Sequence, residues 1–409
     1  MEARCCIVGA GPGGSVLAFL LARAGVSVVL VEAHADFERK FRGDTLHPPT
    51  MELMQAVSLS DRLLALPHSK IRAFTLRTPR ETLQTANFSV TGSPFPYITM
   101  LPQARFIETL VEAAKKFPTF QLVQPASVEA LILENGQVKG VRCHHPDGRT
   151  TEIHSTLTVA ADGRSSTVRR LAGIETIKTS PPMDVLWFTL PRHSTDPEDM
   201  AGGYLGRGRI LVVLERPNEW QVGYVFPKHA FQKVRAEGLE ALKKSIAETN
   251  SRFADRVDSL KDWSQVALLS VESSRCKEWA KPGLLLIGDA AHVMSPVGGV
   301  GINYAIQDAV VTANVLTESL LKGEAPLRLL HQVQRKRQLP TKIIQFIQGQ
   351  FQKFIISQAL DSSRPFQIPK AMRFALSVPI LREIPLRLLI KGIGNVHLKK
   401  QSVNSNRNA

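Results

Sequence analysis

The chain has 409 residues, 44% of them hydrophobic and 21% charged, which is typical of a globular protein with room for two domains. No apolar run reaches the roughly 18 residues of a membrane span. The four cysteines, at positions 5, 6, 143 and 276, lack metal-ligand spacing, and the first predicted strand follows Met1 too closely for a signal peptide. We therefore expect reduced thiols, no bound metal and a cytoplasmic location.

The first predicted elements surround a glycine-rich turn. An apolar run over 5–8 leads into the sequence Gly-Ala-Gly-Pro-Gly-Gly at 9–14, residues 17–24 have helical spacing, and a β-branched run over 26–31 ends at Glu32. In a strand–turn–helix–strand unit, such glycines let the backbone approach a pyrophosphate, and the acid accepts hydrogen bonds from a ribose. The amide groups at the helix start face the phosphates. The pattern predicts a dinucleotide site.

The next segment alternates short helices and strands. A polar stretch that contains Arg42 precedes a helix near 49–56, and two strand-like runs lie within 70–91. A helix is predicted over 102–116, with Gln103 at its start. From Ser127 the pattern indicates a β-meander, because its turns are Asn-Gly and Asp-Gly pairs, the strongest short hairpin signals.

Two further motifs end buried strands. A β-rich run over 157–160 leads to Asp162-Gly163, and a run over 284–287 leads to Gly288-Asp289, followed by a glycine-rich loop and a long helix over 301–321. Both motifs place polar groups at the carboxyl end of a strand, where open α/β sheets bind ligands. Each motif alone also fits an ordinary turn.

The segment between these motifs changes character. Residues 181–275 contain three strand-like runs and a helical stretch over 230–253. We therefore predict an α/β fold: a Rossmann-like domain made of 1–180 and 276–330, and an inserted, mainly-β substrate-binding domain of 181–275. A helical, basic carboxyl-terminal region over 331–400 and a short tail over 401–409 complete the chain.

The net charge of +15 is concentrated near the carboxyl terminus, where residues 328–409 contain 15 Lys or Arg against two acids. Basic and apolar residues alternate at 370–376 and 386–391. This pattern suits an amphipathic helix on an anionic membrane, but we favour a solvated helix packed on the protein, because basic helix faces are common. No helix-turn-helix, zinc or RNA-binding signature accompanies the charge, which argues against a nucleic-acid partner.

In this order and spacing, the three motifs resemble those of the flavoprotein monooxygenases of the p-hydroxybenzoate hydroxylase type, over roughly residues 4–330. The resemblance implies FAD as cofactor, with NADH or NADPH as a transient electron donor. It also implies that one atom of O₂ is inserted, through a flavin C4a-hydroperoxide, into an organic substrate that is aromatic or polycyclic and apolar.

The same resemblance assigns parts of the site to individual residues. It places the FAD pyrophosphate at Gly9, Gly11, Gly13 and Gly14, the adenosine ribose at Glu32, further FAD contacts at Arg42 and Gln103, the flavin and the nicotinamide at Asp162 and Gly163, the ribityl chain at Gly288 and Asp289, and the isoalloxazine at Pro296, Gly298, Gly299, Val300, Gly301, Ile302 and Asn303. No general base is evident. His47 lies near the predicted flavin edge, but a lone histidine is more often structural.

Two alternatives to a monooxygenase retain the FAD site but give it another function. FAD-dependent reductases of the geranylgeranyl type and epoxidases of the squalene type share these motifs and act on lipid-like substrates. A flavin-binding sensor or membrane partner would not turn over at all. A halogenase is disfavoured, because the sequence lacks a Trp-x-Trp-x-Ile-Pro motif. The sequence leaves open the substrate, the choice of nicotinamide and the oligomeric state.

Overall fold

The structure, a computed structural model, describes residues 1–38, 43–78, 80–198, 200–206 and 208–361, and beyond these only 363, 366–368, 373–374, 378, 383, 387 and 396–399. Arg42, most of the predicted basic stretches at 370–376 and 386–391, and the tail at 401–409 therefore lie outside the described residues.

The strands are β1 (Glu2–Val8), β2 (Val28–Val31), β3 (Thr45–Leu46), β4 (Ser69–Ile71), β5 (Ala73–Arg77), β6 (Thr82–Asn87), β7 (Ile98–Met100), β8 (Phe120–Val123), β9 (Ser127–Glu134), β10 (Gln137–His144), β11 (Thr150–Ala160), β12 (Thr176–Thr179), β13 (Met183–Pro191), β14 (Met200–Leu205), β15 (Ile210–Glu215), β16 (Glu219–Pro227), β17 (Ala267–Leu269), β18 (Ser273–Cys276), β19 (Ala280–Lys281), β20 (Leu284–Leu286) and β21 (His292–Val293). The helices are α1 (Pro12–Arg23), α2 (Pro48–Ala56), α3 (Ser60–Leu64), α4 (Gln103–Ala114), α5 (Thr167–Leu171), α6 (Phe231–Ala236), α7 (Leu239–Thr249), α8 (Gly301–Leu321), α9 (Leu327–Phe351) and α10 (Ser357–Ala359).

The first sheet is mostly parallel and lies between two layers. Its strand order is β19-β20-β11-β1-β2-β8, and the antiparallel strands β10 and β9 extend it from β11. Successive side chains of a strand point to opposite faces. In β1, Cys5 and Ile7 pack with the helices α1, α4 and α8, whereas Cys6 and Val8 pack with the meander β9–β11. The unbroken apolar runs of β1 and β2 therefore reflect burial on both faces.

The second sheet is antiparallel apart from one pair, and it contains strands from two parts of the chain. Its order is β17-β13-β16-β15-β14-β5-β6, and β5 pairs in parallel with β14. The predicted domain boundary at 181 assigned residues 73–87 to the first domain, so it omitted two strands of this sheet. Sequence periodicity identified the strands, but their long-range pairing depends on the tertiary fold.

The helical segment that packs on the second sheet is divided into two helices. The stretch predicted as helical over 230–253 consists of α6 and α7, which are separated at Gly238, a residue with a φ of 90° that favours glycine. Leu242 and Ile246 of α7 pack on Leu186 and Trp220 of the sheet. The opposite face of the sheet remains available for the site described below.

The carboxyl-terminal helices pack against the first sheet and the loop that follows β20. Pro340 lies inside α9 and does not end it, and a π-helical turn (Gln352–Ile356) connects α9 to α10. Within the described ranges, no helix combines the length and apolarity needed to cross a bilayer. The predicted α/β class, with a Rossmann-like domain, a mainly-β sheet and helices near the carboxyl terminus, is confirmed.

Candidate functional site

The three sequence motifs meet at one edge of the first sheet. The first follows β1, the second follows β11 and the third follows β20, and these strands are parallel neighbours in the order β20-β11-β1. Their carboxyl ends therefore open onto the same space. Residues from all three motifs line a cavity of about 1030 Å³, which extends from this edge to the second sheet.

The first motif forms a cradle that larger residues would close. Gly9 has a φ of 100°, and a Cβ there would lie 2.6 Å from the carbonyl oxygen of Ala161. A Cβ on Gly14 would overlap the carbonyl oxygen of Gly9, and one on Gly13 would lie 3.0 Å from Ala305 O. Gly11 caps α1, whose first turn borders the cavity. This backbone fits a bound pyrophosphate.

Glu32 ends β2 and lines the cavity next to the first motif. Its carboxylate accepts backbone hydrogen bonds from Ala10 and His34, each at 3.0 Å. These bonds hold the carboxylate beside the glycine turn. The imidazole Nδ1 of His34 also lies 2.8 Å from this carboxylate, which is held at the end of β2, where the dinucleotide pattern expects an acid.

The second motif contains a buried acceptor. Asp162 Oδ2 accepts a hydrogen bond from Val168 N at 3.1 Å, whereas Oδ1 is buried and has no partner among the described residues. Burial is the main reason why the pKa of Asp162 is raised, and hydrogen bonds from Ser166 and the Val168 amide oppose it. An orphaned acceptor on the cavity wall fits a ligand that donates a hydrogen bond.

Arg169 joins the second motif to the third. Its guanidinium donates to the carbonyl oxygens of Ala290 at 2.9 Å and Arg164 at 2.7 Å. Ser166 caps the helix that carries it, because its hydroxyl accepts from Arg169 N at 2.9 Å. Arg169 therefore fixes the spacing between two loops that border the cavity.

The third motif is held by a buried charge cluster. The carboxylate of Asp308 accepts from the Gly288 amide at 2.9 Å, lies 2.6 Å from His292 Nε2 and accepts from Arg337 Nε at 2.6 Å. The side chains of Asp308, His292 and Arg337 are almost fully buried. Burial alone would raise the pKa of Asp308, but His292 and Arg337 outweigh it and lower the pKa to about 2.

The glycine-rich loop after the third motif forms another wall. Pro296, Gly298, Gly299, Gly301 and Ile302 line the cavity, and α8 begins at Gly301 with its first turn at the wall. A Cβ on Gly299 would lie 2.6 Å from Thr45 Oγ1. The amide groups at the start of α8 can stabilise negative charge on a ligand.

Two residues predicted to contact the isoalloxazine lie behind this wall. Val300 is buried against Met294, Tyr304 and Ile344. The amide side chain of Asn303 accepts from His47 N and Thr50 Oγ1 and donates to the carbonyl oxygens of Thr45 and Gly299, all at 2.8–3.1 Å. Neither residue lines the cavity in the part of the chain that the structure describes, and the expected contacts of both with the isoalloxazine stay a prediction. Both residues position the loop.

Gln103 and Asp44 connect the two sheets at the cavity wall. Gln103 donates from its backbone to Asp44 Oδ1 at 3.1 Å and from its side chain to Gly43 O at 3.0 Å. Asp44 also forms an ion pair with Arg216, which follows β15 of the second sheet. Burial is the largest influence on Asp44 and raises its pKa, although Arg216 opposes the shift.

His47 is a buried, neutral residue of the cavity wall. Burial lowers its pKa to about 4, against a smaller opposite effect of the Gly298 backbone. Neither ring nitrogen has a hydrogen-bond partner among the described residues, and both nitrogens are inaccessible to water. The imidazole is therefore uncharged at neutral pH, and its position favours packing over proton transfer.

Beyond the motifs, the cavity becomes an apolar chamber, which we call the substrate chamber. One face of the second sheet forms a wall through Val185, Trp187, Leu205, Ile210, Val212 and Val225, and the end of α9 with the following π-helical turn forms another through Ile347, Phe351, Ile355 and Ile356. Arg164, beside Asp162, is the only Lys or Arg among the described lining residues. Neither wall of the chamber carries a recognisable sequence motif, so these side chains could not be identified from the sequence.

Replacing Arg337 by Met would remove the permanently charged partner of the buried Asp308 carboxylate. We expect a loss of about 3 to 5 kcal/mol in the free energy of unfolding, because an uncompensated buried charge is strongly destabilising. Denaturant unfolding measures this change. Arg335→Met, on the exposed face of the same helix, is the matched control, and an equal loss in both variants would contradict the assigned role.

The lowered pKa of Asp308 leads us to expect that the stability of the fold depends on pH. Its folded-state pKa of about 2 lies below the usual unfolded value of about 3.9, so the cluster stabilises the fold above about pH 4 and loses this effect as the pH falls toward 2. The difference in unfolding free energy between wild type and Asp308→Asn is expected to narrow over that range. A constant difference would show that Asp308 is not ionised in the fold.

Comparison with known proteins agrees with this architecture. Residues 2–346 match the family model described as FAD binding domain. The chain is 32% identical to 6-methylpretetramide 4-monooxygenase of Streptomyces rimosus over 94% of this chain and 91% of that protein. It is 27% identical to digeranylgeranylglycerophospholipid reductase 1 of Methanococcoides burtonii, over 81% of this chain and 78% of that protein.

A solved structure shares the fold. The crystal structure of PqsL, a probable FAD-dependent monooxygenase from Pseudomonas aeruginosa, superposes with a TM-score of 0.74 at 21% identity and covers 89% of this chain and 98% of that chain. The residues around the cavity fit FAD: the glycines leave space where a pyrophosphate would lie, Glu32 lines the cavity where an acid would face a ribose, and Asp162 offers an orphaned acceptor. The chain belongs to the FAD-dependent monooxygenases of the p-hydroxybenzoate hydroxylase type.

Proposed function

We propose that this monooxygenase inserts one oxygen atom into a large, uncharged and apolar substrate of aromatic or polycyclic type. The observation that carries the proposal is the substrate chamber, whose walls are mainly aliphatic and aromatic, with fewer polar side chains such as Gln221 and Glu272. When bound, FAD supplies the redox chemistry that passes two electrons from NADH or NADPH to O₂. One oxygen atom of O₂ enters the substrate, and the other leaves as water.

The charges around the chamber support an uncharged substrate. Asp44 and Glu272 line it, while Lys and Arg are absent from its described wall apart from Arg164 near the second motif. A substrate carboxylate in the chamber would lose its hydration without gaining a cationic partner, and an unpaired buried charge is costly. The chamber therefore favours a neutral ring system over a small aromatic acid.

The cofactor-facing residues have separable tasks in this proposal. The backbone around Gly11 would bind the pyrophosphate, Asp289 would bind ribityl hydroxyls, and the first amides of α8 would stabilise negative charge on the isoalloxazine. Arg169 and Asp308 position the loops that hold these groups. The apolar walls would exclude water from the reacting atoms, which favours oxygen transfer over the release of H₂O₂.

One named relative supports the substrate class. The protein from Streptomyces rimosus is named for a pretetramide substrate, and a polycyclic ring system of that kind would suit the long apolar chamber. The expected cytoplasmic location stays a prediction, and membrane contact through the basic carboxyl-terminal region stays the less favoured alternative.

A substrate panel tests the proposal with the purified holoenzyme. Neutral polycyclic phenols are expected to stimulate NAD(P)H oxidation and O₂ uptake with little H₂O₂, whereas p-hydroxybenzoate is expected to give neither stimulation nor product. Mass spectrometry of the product, with ¹⁸O₂ as oxygen source, checks the insertion. Coupled turnover of the small acid alone would contradict the substrate class, and reduction of a substrate without O₂ uptake would favour the reductase alternative.

Gly11→Asp is expected to yield a folded but colourless protein, because a carboxylate at the cap of α1 repels the pyrophosphate. The absorbance of bound flavin and the far-ultraviolet circular dichroism of the purified variant measure the two properties. Gly349→Asp is the control, since a side chain there points into open space. Normal flavin content in Gly11→Asp would remove the pyrophosphate assignment.

Val212→Phe tests the substrate chamber, because Val212 lines it from the middle of β15. The larger ring is expected to raise KM for a polycyclic substrate about tenfold and to divert turnover to H₂O₂, while flavin content stays unchanged. Val212→Ala, which enlarges the chamber, is expected to turn over the same substrate without that penalty. Identical kinetics for both variants would place the substrate elsewhere.

A further inference from the structure

One exposed face of α9 carries basic and apolar side chains in alternation. Arg335, Leu339, Lys342 and Phe346 are spaced i, i+4, i+7 and i+11, which places them in one row along the helix, and all four are exposed. Leu339 is 60% exposed and Phe346 65%. Lys353 and Phe354 follow in the π-helical turn, and Phe354 is 52% exposed. We call these six residues the basic–apolar row.

The segment of sequence that carries the row has charged residues of a single sign. Between Ala325 and Leu360 the sequence contains six Lys or Arg and no Asp or Glu. Arg337 is buried and pairs with Asp308, whereas Lys342 and Lys353 make no ion pair with a carboxylate of the described residues. The row therefore presents uncompensated positive charge between its apolar side chains.

This combination identifies the kind of surface that the row fits. Large exposed apolar side chains in one patch mark an interaction site, but the buried centres of protein–protein interfaces are depleted of Lys. A helix that lies in a membrane interface places Phe and Leu at the acyl boundary and Lys and Arg against anionic headgroups. We propose that the basic–apolar row docks the protein onto a bilayer surface rich in anionic phospholipids.

The row lies next to the rim of the substrate chamber. Ile347 and Phe351 belong to the same helix and line the chamber, and Phe351 is also 37% exposed. Docking therefore brings this rim close to the lipid. If the substrate is apolar, as the proposed function states, it can pass between bilayer and chamber along the apolar side chains of α9 with little exposure to water.

Vesicle co-sedimentation of the full-length holoprotein tests the docking. The protein is expected to sediment with vesicles of phosphatidylglycerol and phosphatidylcholine in equal parts, to sediment less with phosphatidylcholine alone, and to detach as salt screens the charges. Lys342→Glu and Phe346→Asn are each expected to lower the partition coefficient about tenfold or more. Retained flavin absorbance and an unchanged unfolding midpoint show that the variants are folded.

Two exposed positions away from the row serve as matched controls. Leu133→Asn on β9 and Lys244→Glu on α7 make the same kinds of change and are expected to sediment like wild type. The proposal is overturned if wild type stays in the supernatant, if it binds both vesicle types equally, or if row and control variants bind alike.

Size-exclusion chromatography with light scattering tests the row as a contact between copies of the chain. A dimer that Phe346→Asn dissociates, without any vesicle binding, would assign the row to a second copy and would also overturn the proposal. The sedimentation assay measures no turnover, so its failure leaves the proposed oxygenation standing, and a failed substrate panel leaves the docking standing.

Discussion

The fully buried carboxylate of Asp308 is the constraint on which the site depends. It binds the backbone amide of Gly288, contacts His292 and pairs with Arg337, and so joins the third motif to α8 and α9 in one cluster. Because α9 also carries a wall of the substrate chamber, the same ion pair fixes both the loop of the third motif and the boundary of the space where the substrate would bind.

A second set of polar contacts fixes the distance between the glycine-rich loop and the segment before α2. Asn303 satisfies all four of its bonds with His47, Thr50, Thr45 and Gly299, and so it holds two stretches of backbone that are far apart in sequence. The ion pair between Asp44 and Arg216 then ties this segment to the second sheet. Polar residues therefore set the frame of the site, and apolar residues fill the chamber inside it.

This division between polar frame residues and apolar chamber residues explains which parts of the site could be predicted from the sequence. The glycines at 9–14, Glu32, Asp162-Gly163 and Gly288-Asp289 were recognisable because backbone approach and strand-end chemistry restrict residue type at fixed local spacing. Asp308 and Arg337 were missed: a charge within the apolar pattern of α8 was visible, but its partner lies 29 residues away on another helix. The placement of Val300 and Asn303 behind the loop also depended on side-chain packing that local spacing does not encode.

By itself, the sequence determined the α/β class, the strands that carry the motifs and the kind of cofactor, since these follow from short-range periodicity and from backbone geometry. The tertiary structure alone decided that residues 73–87 complete the second sheet, that α9 continues through Pro340 to wall the chamber, and that its outer face remains exposed. Strand pairing and helix docking are long-range contacts, and their free energy comes from burial that no single segment reveals.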